Sequence, residues 1–111
     1  MKTLALRDRD LTTLRSTFHR FPCIREVRVF GSRATGHARR ASDIDLAITA
    51  PTATPDEWLE LTEALEEAPI IYEFDIVRTD QTQNPRLLEK IASDGFAIYP
   101  ESFAINASYH K

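Results

Sequence analysis

Cysteine is scarce in this sequence of 111 residues, where Cys23 is the single thiol. One cysteine excludes an internal disulfide and suits a reducing compartment, so we expect a cytoplasmic protein. Long apolar runs are lacking as well, which argues against a membrane-spanning helix. The apolar stretch near the N-terminus is short and is interrupted by Arg7 and Asp8, so we expect no signal peptide.

An excess of basic residues is also lacking, because the formal net charge is -3. This balance disfavours general binding to DNA or RNA. The charge is nevertheless uneven: residues 25–40 hold five arginines and one acid, and residues 56–67 hold six acids and no base. Two interpretations stay open, namely two solvated faces of opposite sign, or a basic loop for a polyphosphate beside an acidic helix.

The length suits a single domain, which we place at residues 1–100, followed by a C-terminal tail at residues 101–111. Apolar periodicity and turn residues predict the order α-β-β-α-β-α-β. This order indicates an α/β (α+β) domain of two layers, with helices on a small mixed sheet. The predicted helices cover about 8–20, 55–68 and 85–94, and the predicted strands about 25–30, 43–49, 70–77 and 96–99. Thr54 is expected to cap the second of these helices. Asn84-Pro85 is expected to begin the third, whose buried side is lined by Leu87, Leu88 and Ile91.

The stretch from Gly31 to Ile48 carries the candidate chemistry. Asp43 and Asp45 lie two residues apart on a predicted strand, so they project from one face about 6.5–7 Å apart at the backbone. Asp75 lies on a later strand and joins this face if the two strands are neighbours in the right register. Three carboxylates that close repel one another without cations, and Mg²⁺ takes oxygen ligands of this kind.

A candidate phosphate-binding turn precedes these aspartates. Glycine at Gly31 lets the backbone approach a phosphate closely, and the Ser32 hydroxyl and neighbouring amides can bind its oxygens. Arg33 adds positive charge there. Each feature alone also fits a solvated strand edge or an ordinary turn. Their combination favours a triphosphate site in which two metal ions stabilise the attacking and leaving oxygens.

The same stretch resembles the minimal nucleotidyltransferase (MNT) family of the DNA polymerase beta superfamily, whose pattern is Gly-Ser, ten residues, then Asp-x-Asp. Here Gly31-Ser32 is followed by residues 33–42 and then by Asp43-Ile44-Asp45. The resemblance implies that Asp43 and Asp45 are metal ligands, with Asp75 as the third acid of the catalytic set. It also implies that Gly31 and Ser32 contact phosphate, that Mg²⁺ is required and that ATP is the substrate.

Small proteins of this kind resemble the antitoxin of HEPN/MNT toxin–antitoxin pairs, in which the MNT protein transfers AMP from ATP onto a tyrosine of the HEPN ribonuclease toxin. The resemblance implies a protein adenylyltransferase that works in a hetero-oligomer with a HEPN-type toxin. The length agrees, because about 100 residues leave little room for a domain that binds an acceptor. Two alternatives stay open: an antibiotic nucleotidyltransferase, and an antitoxin that acts by binding alone.

Overall fold

The computed structural model describes residues 4–35 and 43–101. Within these ranges the chain forms four strands, which make one sheet, and four helices. The predicted mixed α/β architecture is confirmed, with one short helix added directly after the first strand. Within the described ranges, no helix is long and apolar enough to cross a membrane. In chain order the elements are α1 (Asp8–Phe18), β1 (Glu26–Phe30), α2 (Ser32–Thr35), β2 (Ile44–Thr49), α3 (Pro55–Glu67), β3 (Phe74–Arg78), α4 (Pro85–Asp94) and β4 (Phe96–Tyr99).

The sheet has the strand order β3-β2-β1-β4, so β3 and β4 form its two edges. β1 pairs antiparallel with both β2 and β4. β2 and β3 are parallel, a pairing that needs a crossover connection, and α3 supplies it. This crossover returns the chain so that β3 begins beside the start of β2.

Two helix starts follow the sequence signals directly. Thr54 caps α3, because its side chain accepts the amide of Glu57 at 3.1 Å while the Glu57 carboxylate accepts the Thr54 amide at 2.8 Å. This reciprocal capping box satisfies two amides that the first turn leaves without helical partners. Asn84 caps α4 by accepting the amide of Leu87 at 3.2 Å.

The two faces of the sheet carry apolar clusters of different size. Alternation along β1 and β2 points their aliphatic residues to one face, where they are fully buried against α1 and α3. The opposite face has a smaller apolar cluster under α4, and we call this side the α4 face. The main core includes Leu14, Phe18, Val27, Val29, Ile44, Leu46, Ile48, Leu61 and Leu65, and the smaller cluster is Phe30, Ala47 and Ile91 with Val77 and Leu87 at its rim.

Three details differ from the sequence-based predictions. α1 ends at Phe18 instead of about residue 20, because the chain leaves the helix through turns before Pro22. The third strand begins at Phe74 instead of residue 70, since its ladder with β2 starts only where β2 itself starts. Leu88, predicted to line the buried side of α4, is 36% exposed because it projects beside the packed stripe. The predicted tail lies outside the described residues, apart from Glu101.

Candidate active site

Asp45 and Asp75 lie side by side on adjacent strands. They are direct partners in the parallel register of β2 and β3, and neighbouring strands are about 4.7–4.9 Å apart. Both alternate with residues that face the main core, so both carboxylates belong to the α4 face. Asp43 precedes β2, two residues before Asp45, and is exposed. The structure thus brings Asp45 and Asp75 to one end of one face, with Asp43 close enough for its charge to raise the pKa of Asp45.

Like charges and partial burial act together on Asp45. Burial raises the pKa of its carboxyl first, and the negative charges of Asp75 and Asp43 raise it further. The positive charges of Lys90 and Arg33 oppose that rise. A carboxylate that is crowded by two others and partly removed from water gains stability when a cation arrives.

Gly31 closes one side of this cluster. It has φ +73°, in the left-handed region that glycine adopts without a steric penalty. A Cβ at this position would lie 2.2 Å from Oδ2 of Asp45. The backbone of Gly31 therefore packs directly against the Asp45 carboxylate. Ser32 is half-buried and begins α2.

Arg33 takes a different place from the one expected of a side chain that binds nucleotide. Arg33 is buried, with 6% of its surface exposed. The guanidinium donates to the carbonyl oxygen of Ala5 at 2.8 Å and to that of Asp43 at 3.3 Å. It also lies over the ring of Tyr72, 4.2 Å from the centroid. Its positive charge still reaches the cluster, because it lowers the pKa of Asp45.

The residues present fit an open Mg²⁺ site better than a closed one. Among the described residues, no three His, Cys, Asp or Glu side chains are close enough to form a ready-made metal cage. Mg²⁺ commonly uses one or two carboxylates together with substrate phosphates and water. The paired oxygens of Asp45 and Asp75, with Asp43 beside them, suit that ligand set. The role of all three as metal ligands remains a prediction.

Lys90 is a site residue that the sequence analysis missed. Leu87 and Ile91 of α4 pack on the α4 face against Phe30, Ala47 and Val77. Lys90 flanks this stripe, is exposed, and is close enough to lower the pKa of Asp45. The position of Lys90 beside Leu87 and Ile91 on the helix was the available signal in the sequence. This signal points to the aspartates only once α4 is known to cover the same face of the sheet.

Comparison with known families identifies the chain. The model of the family described as polymerase beta, nucleotidyltransferase matches residues 12–103. The chain belongs to this family. The matched range contains both the turn at Gly31 and all three aspartates. A comparison with curated proteins returned no match.

Solved structures confirm the nucleotidyltransferase fold. One, described as a toxin–antitoxin with AMP-PNP, is 22% identical, with a TM-score of 0.67 over 87% of this chain and 82% of that one. A second is a mutant of the toxin–antitoxin MntA-HpeT in which two aspartates were replaced by glutamate. It is 21% identical, with a TM-score of 0.63 over 91% of this chain and 83% of that one. A third is an MntA-HpeT mutant with a tyrosine replaced by alanine, with 21% identity and a TM-score of 0.60 over 91% and 82%.

One groove of this nucleotidyltransferase domain lies on the face of the sheet opposite Asp75. This groove of about 340 Å³ runs between α3 and β3, lined by Leu65, Tyr72, Phe74 and Ile76 among others. Phe74 and Ile76 belong to the face opposite Asp75, because side chains alternate along a strand. The sheet therefore separates this groove from Asp75.

Proposed function

We propose that this chain is an antitoxin that transfers AMP from ATP to a tyrosine of a HEPN-type toxin. The observation that carries the proposal is the registered pair Asp45 and Asp75 with the backbone of Gly31 packed against it. Membership of the nucleotidyltransferase family supports the reaction class. The toxin–antitoxin structures of the same fold, one of them with AMP-PNP, support the partner and the nucleotide. We place this hetero-oligomer in the cytoplasm.

The proposed reaction displaces pyrophosphate from the α-phosphorus of ATP. The tyrosine oxygen forms a bond to that phosphorus, the bond to pyrophosphate breaks, and the phenolic proton moves to a base. Two Mg²⁺ ions, when bound, neutralise the triphosphate and stabilise both the attacking and the leaving oxygen. Asp43 and Asp45 would hold them, and the turn at Gly31 and Ser32 would contact the phosphates.

Asp75 is the proposed base or third ligand. It lies on β3, an edge strand, and is exposed. A general base must come within hydrogen-bond reach of the proton that it takes. A tyrosine presented by another protein reaches an edge carboxylate more easily than Asp45, which lies one strand further in.

The exposure of Asp43 and Asp75 supports a protein acceptor, because a tyrosine of another protein can approach exposed carboxylates. Within the described ranges, the groove between α3 and β3 is on the other side of the sheet. A small-molecule site typically encloses most of its ligand in a concave cavity. A partner that brings its own tyrosine would supply the acceptor.

Intact-mass spectrometry tests the proposal. The chain is mixed with a candidate HEPN toxin, Mg²⁺ and each ribonucleoside triphosphate in turn. We expect the toxin to gain the mass of one or more AMP units with ATP, and no gain with Asp45→Asn. Asp56→Asn, an equally small change on exposed α3, serves as the control and retains transfer. A stable complex with no mass gain from any nucleotide would instead support neutralisation by binding alone.

A further inference from the structure

Arg33 links separate segments of the chain beside the acid cluster. Its guanidinium donates to carbonyl oxygens of Ala5 and Asp43 and stacks on Tyr72. Its own carbonyl oxygen accepts the amide of Ala5 at 2.7 Å. The residue is 6% exposed, so these contacts are largely shielded from water. A single side chain thus joins α2, the segment before α1 and the segments before β2 and β3.

Two of these contacts lie close to the acids in sequence. Asp43 accepts the guanidinium through its backbone and is itself two residues before Asp45. Tyr72 is three residues before Asp75. Arg33 therefore contacts the backbone or ring immediately ahead of both strands that carry the paired carboxylates.

A backbone hydrogen bond completes the connection between those strands. The amide of Ile44 donates to the carbonyl oxygen of Glu73 at 2.9 Å. This bond lies between the two segments that Arg33 contacts, and it precedes the pairing of Asp45 with Asp75 by one ladder step. Movement of either segment would change the separation of the two carboxylates.

We infer that Arg33 is a positioning residue, which fixes the spacing and register of Asp43, Asp45 and Asp75 by clamping the starts of β2 and β3. The inference rests on the proposed function of this site. It assigns Arg33 an effect through backbone geometry, in contrast to direct contact with the nucleotide. Lysine cannot replace it, because a lysine ammonium lacks the planar fork that donates to two carbonyls while stacking on a ring.

Arg78 offers a matched control within the same chain. Its guanidinium donates to the carbonyl oxygens of Ala50 and Ala53 at 3.0 and 3.1 Å and lies 4.9 Å from the ring centroid of Trp58. Arg78 is thus a clamp of the same chemistry at the opposite end of β3. Arg78 also pairs with Asp80 at 3.0 Å, so its loss removes an ion pair in addition to similar contacts. Of the two arginines, Arg33 is the one that contacts the segments next to the acids.

The first test compares Arg33→Lys and Arg33→Gln with Arg78→Lys and Arg78→Gln in the full chain. Mn²⁺ affinity is measured with AMP-PNP by electron paramagnetic resonance, below the unfolding midpoint of every variant. Supporting groups around metal ligands commonly change affinity about 10–100-fold. We expect that loss in both Arg33 variants and less than about a twofold change in both Arg78 variants.

The second test needs neither metal nor nucleotide. Hydrogen exchange of the metal-free chain should be faster at the Ile44 amide in Arg33→Lys than in the wild type or in Arg78→Lys. If the Arg33 variants fail to fold, Tyr72→Leu removes the stacking ring alone, with Trp58→Leu as its control. We expect Tyr72→Leu, and not Trp58→Leu, to weaken Mn²⁺ binding.

The outcomes separate this inference from the proposed function. Wild-type chain that binds no Mn²⁺ with AMP-PNP would overturn both. If the wild type binds Mn²⁺ and Arg33→Lys binds it with the same affinity, the positioning role alone is overturned, because a positive charge at this position is then sufficient. Equal losses in the Arg33 and Arg78 variants would also overturn it, since the effect would then follow general stability.

Discussion

Replacing Gly31 by alanine should damage the site more than the fold. The added Cβ would lie 2.2 Å from Oδ2 of Asp45, where ordinary contact begins at 3.4 Å, so the carboxylate must move by about 1.2 Å. A misplacement of about 1 Å in an active site can cost about 100-fold in rate. The positive φ adds about 1–2 kcal/mol of strain for a residue with a side chain. The unfolding midpoint should fall by about 4–8 °C for each kcal/mol.

The assay is Mn²⁺ affinity with AMP-PNP, measured at a temperature where both proteins are folded. We expect Gly31→Ala to bind at least about tenfold more weakly than the wild type. Gly95→Ala is the control: its Cβ would lie 2.3 Å from the carbonyl oxygen of Ile91, which destabilises the end of α4 without touching Asp45. Wild-type affinity in a folded Gly31→Ala protein would refute the assigned contact between the turn and the carboxylate.

Three further predictions concern charge and capping. Lys90→Met should raise KM for ATP, because its charge lies near Asp45, whereas Arg86→Met, one turn earlier on α4, should not; steady-state AMP transfer decides this. Asp45→Asn should raise the metal-free unfolding midpoint, as measured by calorimetry. Because the folded pKa of Asp45 is raised, its ionisation opposes folding. The gain should therefore be absent at about pH 3 and grow as pH rises through that pKa; a constant gain would contradict this. Thr54→Ala should cost about 1 kcal/mol through the lost α3 cap and leave Mn²⁺ affinity unchanged; calorimetry and metal titration check both.

Local signals predicted most of the elements because each has a local physical cause. The cap at Thr54, the Pro at α4 and the alternation of β2 depend only on neighbours in sequence, and the structure confirms them. The start of β3 was placed too early because Ile70 and Ile71 look like strand residues. Ile71 is 78% exposed, which only the register with β2 explains.

The candidate site divides in the same way. The spacing of Asp43 and Asp45 predicted that these two acids share one face. The pairing of Asp45 with Asp75 depends on the crossover between β2 and β3, which sequence spacing does not encode. Arg33 was expected near phosphate because of its charge. Its burial depends on Ala5 and Tyr72, which are distant in sequence, so no local pattern indicated the clamp.

The difference between Asp45 and Asp75 explains how one carboxylate pair can serve two tasks. Asp45 is half-buried beside the turn at Gly31, where burial and the charges of Asp75 and Asp43 raise its pKa, so a bound cation would favour its ionised form. Asp75 is exposed on an edge strand, where a partner can approach. If the two environments were exchanged, the half-buried acid would face the acceptor and the exposed acid would face the phosphates. With β3 outside β2, the order of the strands thus agrees with the proposed roles, in which the inner acid holds metal and the outer acid faces the acceptor.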